Sequence, residues 1–125
     1  MIEPTILASW TRALRKQLDA LDLDSTALCR EAGLDPQWMD DPNARYPVTG
    51  TTRLWALAVQ ASGDPALGLR VSRFVSPTTF HALGYALVAS GSLREVFERI
   101  VRYHTAVSDA LELELSRTPD RYCFH

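Results

Sequence analysis

The chain has 125 residues, with 13 Lys and Arg against 15 Asp and Glu, a formal net charge of −2, 46% apolar and 22% charged residues. That suits one modest globular domain and gives no general attraction for phosphate backbones or anionic membrane surfaces. No apolar run approaches the roughly 18–20 residues that span a bilayer. The two cysteines, Cys29 and Cys123, have no CxxC spacing, so neither a disulfide framework nor a metal site is expected. The opening "MIEPTILASW" lacks the basic and long apolar regions of a secretory signal. A reduced, cytoplasmic setting without membrane contact is the expectation.

Leu7, Trp10, Leu14, Leu18 and Leu21 recur at three- and four-residue steps and predict an amphipathic helix over residues 4–21. Arg12, Arg15, Lys16 and Asp19 fall on its polar side. "DLDSTALCREAGLD" reads as a short helix, capped by Asp24 or Ser25 and stopped at Gly33, with Leu34 folding back. Three prolines limit "DPQWMDDPNARYPVTG" to a helical turn plus loop. "TTRLWALAVQASG" is the next helix, and "DPALGLRVSRF" follows with Asp64 as cap and Pro65 in the first turn.

Ser76 and Pro77 open a helix over residues 77–90 with an apolar stripe of Phe80, Leu83, Gly84, Leu87 and Val88. Ser92 and Glu95 form a capping box for a helix over about residues 93–110, with Glu95–Arg99 and Glu98–Arg102 as supporting pairs. The period then changes. "LELELS" alternates like a half-buried strand, "RTPDR" turns, and "YCFH" starts a return strand. The fold class read from this order is mostly α with a C-terminal β-hairpin (α+β), with about six amphipathic helices. The hairpin stops before its return strand is complete, the expectation for part of a larger sensor domain.

Four rings stand out on the last two helices. His81 and Tyr85 lie together at the border of one stripe, Tyr103 at the edge of the next, and His104 near its middle. They read either as rim packing around a hydrogen-bonded core histidine or as part of an effector cavity, where apolar walls carry a few convergent polar groups. No catalytic residue is expected. His104, Ser108 and Asp109 share one helix, with Asp109 on the solvent side, and no nucleophile elbow, zinc-protease or phosphate-loop motif occurs. Residues 25–41 imitate a helix-turn-helix. Between Asp19 and Asp41, however, seven carboxylates meet one base, Arg30, which opposes a DNA-reading role.

"CREAGLDPQWMDDPNARYPV", "ASGDPALGLRVS", "FHALGYALVASGSLREVFERIVRYHTAVSD" and "LELEL", in this order, resemble the N-terminal effector-sensing domain of AraC/XylS-type transcription regulators. The likeness is to the arabinose-binding-like subgroup, which includes regulators of ornithine and arginine use. The resemblance implies residues 1–125 of a regulatory domain, with the C-terminal helix-turn-helix DNA-binding domain absent. It implies a homodimer that answers to a small-molecule effector, such as the amino acids ornithine or arginine, and reaches promoter DNA only through that absent domain. No cofactor is implied. The rival expectation is a dimerisation or interaction module without ligand.

Overall fold

The computed structural model describes residues 3–125, and it is largely helical with two small antiparallel sheets. Its first element is a strand. β1 (Thr5–Leu7) pairs with β2 (Arg45–Pro47) in the register Thr5–Pro47, Ile6–Tyr46 and Leu7–Arg45. The helix expected from residue 4 therefore begins only at α1 (Ala8–Ala20). The cause lies far off in sequence: Ala8 donates to the Ala44 carbonyl, Leu7 to that of Val107, and Ile6 bridges Ser108. Arg45 fastens the junction through Thr5 Oγ1 at 2.7 Å and the Ala106 carbonyl at 2.8 Å.

α2 (Ser25–Glu31) starts with the Asp24 carboxylate accepting from Ala27 N–H at 3.0 Å. It stops as expected. Gly33 takes φ +82°, and the amides of Gly33 and Leu34 donate to the carbonyls of Arg30 and Cys29, the Schellman pairing. The segment after it is a 3-10 turn, Pro36–Asp40, so no recognition helix follows. α3 (Val48–Ser62) ends on left-handed Gly63 (φ +67°), and α4 (Leu67–Val71) continues into a 3-10 turn at Ser72–Phe74.

The core belongs to this first half. Leu14 and Leu18 of α1, Cys29 of α2, Met39, Tyr46, Leu54 and Ala58 of α3, and Leu67 and Val71 of α4 are fully buried together. Each buried leucine removes apolar surface worth about 1.5–3 kcal/mol from water. Burial raises the Cys29 thiol above its usual range, and it pushes the Tyr46 phenol up to about 12; the phenol also donates to the Asp35 carbonyl and its ring stacks on Trp38.

The second half is looser. The helix expected over residues 77–90 is interrupted: a 3-10 turn, Pro77–Phe80, precedes α5 (His81–Val88), and His81, the first residue of α5, has φ +53° and ψ −131°. Ser9 Oγ donates to the Thr79 carbonyl and Trp10 packs on Phe80 with centroids 5.5 Å apart, so α1 fixes the turn where a continuous helix would swing away. Val88, expected in the buried stripe, is exposed.

α6 (Leu93–Tyr103) is capped by Ser92 Oγ accepting from Glu95 N–H. It ends seven residues before its expected limit, in a 3-10 turn at His104–Ala106, because the next residues peel away to the β1 edge. Among the described residues neither expected Glu–Arg pair forms. Glu95 accepts from Gly91 N–H, Arg94 pairs with Glu98 at 2.8 Å, and Arg99 donates to the Ala86 carbonyl and Ser90 Oγ.

The hairpin joins β3 (Leu115–Thr118) to β4 (Arg121–Phe124) across Pro119–Asp120. The strand expected from Leu111 thus starts at Leu115, although Glu114 and His125 still exchange backbone hydrogen bonds of 2.8 and 2.9 Å. Phe97 of α6 meets Tyr122 and Phe124 edge-on at 5.5 and 5.1 Å and holds the hairpin against the helix.

Candidate functional site

α1 and the Ser76–Tyr85 segment meet along Thr79 and Phe80 but diverge beyond them, leaving a cleft of about 380 Å³. Its α1 wall carries Arg12 and Lys16, and its far wall carries His81 and Tyr85. Thr79 is buried at its base, and the hydroxyls of Ser76 and Thr78, 2.8 Å apart, stand at its rim. Volumes of roughly 300–1,000 Å³ are usual for small-molecule sites.

The local sequence explains why His81 and Tyr85 face this space. They are one helical turn apart, on the flank of α5 next to the face that buries Leu83 and Gly84. His81 is a non-glycine residue outside the ordinary left-handed well, a conformation costing about 1–3 kcal/mol and held by its surroundings. Strain of this kind concentrates at ligand-contacting positions.

The other two predicted rings lie elsewhere. His104 is on the wall of an apolar groove of about 260 Å³ formed by Phe80, Leu83, Leu87, Ile100, Leu111 and neighbouring residues. Its Nδ1 contacts the Val101 carbonyl at 2.8 Å and its Nε2 the Leu111 carbonyl at 3.0 Å. A neutral imidazole has one N–H and donates to one of these carbonyls at a time; the imidazolium donates to both. Tyr103 borders a third depression, of about 310 Å³, between acidic and basic side chains of α6, with the Arg102 guanidinium over its ring at 5.4 Å. The structure therefore brings His81 and Tyr85 together and leaves His104 and Tyr103 in separate depressions.

Periodicity puts Arg12 and Lys16 on the polar side of the first helix and gives them no role. The available signal was a like-charged pair at i,i+4, which opposes helix stability by a few tenths of a kcal/mol. A wider hollow of about 660 Å³ lies beside the α3–α4 connection, lined by Gln17, Asp64, Arg70 and Arg73 among others. Arg70 there is neutralised by Asp64, whose carboxyl is held below its usual range by the Ala66 amide and then by Arg70. Arg73 covers the Phe74 ring, and the buried Gln17 Oε1 meets no donor among the described residues. The smaller cleft has the less satisfied charge.

Among the described residues, no group of three or more His, Cys, Asp and Glu gathers to hold a metal, and no helix is long and apolar enough to cross a membrane. Asp109, read above as pointing away from His104, accepts from the Thr5 amide at 2.6 Å.

The side chains described above stand on a largely helical body with a small C-terminal hairpin and open clefts. The chain belongs to the family described as the arabinose-binding domain of AraC transcription regulators, N-terminal part, which it matches over residues 23–125. It is 28% identical over 107 residues to the ornithine utilization regulator of Pseudomonas aeruginosa, a match covering 86% of this chain and 32% of that protein. The chain thus spans about a third of the length of this curated relative.

Proposed function

We propose that this chain is the effector-sensing part of a cytoplasmic, homodimeric AraC-type regulator of metabolic genes, not an enzyme. A small molecule binds the domain and shifts its packing, and promoter DNA is engaged by a helix-turn-helix domain outside these 125 residues. Such control requires different affinities for two states, with a coupling of about 1–3 kcal/mol. The supporting observation is the α1–α5 cleft, where Tyr85 and the strained His81 face Arg12 and Lys16, which enter none of the ion pairs among the described residues, in a space sized for a metabolite. Likeness to the ornithine utilization regulator puts amino acids such as ornithine and arginine in the panel of compounds to be tried, although the cleft itself, basic and without an acidic residue in its lining, suits an anion better than a second ammonium group.

A second reading, a dimerisation module without ligand, is favoured by the exposed Val88 and Leu93 at the adjoining ends of α5 and α6. Titration calorimetry against a metabolite panel, paired with sedimentation, separates the two. Sensing predicts saturable one-site binding by at least one compound. Dimerisation with no heat from any compound would support the second reading instead.

A further inference from the structure

We infer that the α1–α5 cleft holds its effector by an anionic group, a carboxylate or a phosphate, clamped by Arg12 and Lys16, and disfavours dibasic compounds. This rests on the sensing reading and assigns the chemistry of its ligand. Arg12 and Lys16 stand one helical turn apart on α1 and line the same cleft, and none of the residues lining that cleft is acidic. Neither takes part in the ion pairs of the described residues, which are Arg70–Asp64, Arg94–Glu98 and Arg121–Asp120.

Three further arginines are committed to hydrogen bonds within the fold. Arg15 donates to the hydroxyls of Ser25 and Thr26, Arg45 to Thr5 and the Ala106 carbonyl, and Arg99 to Ala86 and Ser90. Two adjacent cations without counter-charge repel each other, and an anion between them removes that repulsion while accepting their hydrogen bonds. A guanidinium presents paired N–H groups that match the two oxygens of a carboxylate or phosphate, and an ammonium adds a mobile point charge.

The opposite wall completes the match. Ser76, Thr78 and Tyr85 offer hydroxyl donors, and His81 a ring nitrogen, to further oxygen atoms. A second ammonium group on a ligand would meet no carboxylate in this lining and two like charges. The whole chain carries −2, so the attraction is local to the cleft.

The test is titration calorimetry of the 125-residue chain at low salt with succinate, inorganic phosphate, ornithine and L-arabinose, repeated on Arg12→Gln and Lys16→Gln. Both substitutions lie on the solvent side of α1, and circular dichroism verifies the fold. The expected result is saturable binding of succinate or phosphate at least tenfold tighter than ornithine or arabinose. Each variant should lose at least tenfold in that affinity, and added salt should weaken it. Succinate preferred over phosphate identifies a carboxylate source, and the reverse a phosphate source. Saturable binding of ornithine or arabinose that exceeds both anions, unchanged in the variants, overturns the inference and leaves sensing standing. If none of the four probes binds while another panel compound does, the inference again fails alone; if nothing binds at all, both fail.

Discussion

Gly84 shows how a single residue fixes the cleft's geometry. A Cβ built there would lie 1.8 Å from the Pro77 carbonyl oxygen, a backbone atom with no freedom to yield. Glycine at this position lets α5 press against the Pro77–Phe80 turn, which in turn sets where His81 and Tyr85 emerge. Gly84→Ala should therefore destabilise the chain by about 1–3 kcal/mol in urea denaturation, the usual cost of overpacking. Gly68→Ala is the control, because its added Cβ meets only Trp55 at an ordinary 3.9 Å and improves helix propensity. Equal stability of the two variants would mean that the close approach is not formed. From sequence, Gly84 could be assigned to an apolar stripe but not to a backbone contact. Pro77 precedes it by seven residues, and a continuous helix would have kept the two apart.

At the scale of elements, the readable features were the local ones. The Asp24 and Ser92 caps and the Gly33–Leu34 stop depend on residues within one turn, so their chemistry is written in adjacent letters. The start of α1 and the end of α6 answer instead to distant partners. Thr5–Leu7 is a strand because Arg45–Pro47 lies beside it, and α6 ends early because Ser108 bridges Ile6. The site divides in the same way. His81 and Tyr85 could be paired from one helix's periodicity, whereas Arg12 and Lys16 gain meaning only when a segment some 70 residues later folds against them. The hairpin is an element of this dependent kind. A two-stranded ribbon is marginal alone, and Phe97 supplies its aromatic contacts to α6. Phe97→Ala should raise amide exchange across residues 115–124 by an order of magnitude or more, with residues 48–62 little changed. Equal acceleration in both regions would show that the hairpin and core unfold together.

Taken as a whole, the molecule is divided into a packed half and an open half. The fully buried side chains sit in α1–α4 and the segments between them, whereas α6 buries no residue completely. Regions with few buried contacts open at lower free energy, and ligand-responsive elements are drawn from them. α1 is the shared member. It anchors the core through Leu14 and Leu18 and presents Arg12 and Lys16 to the α5 side. A ligand bridging that cleft would tie the open half to the rigid one, which is a physical route from binding to a change in packing. The most direct test is hydrogen–deuterium exchange of the chain with and without the tightest-binding compound of the calorimetric panel. The account predicts slowed exchange concentrated in residues 76–88, with a smaller effect over residues 9–16. Protection confined to residues 93–124, with 76–88 unchanged, would contradict it.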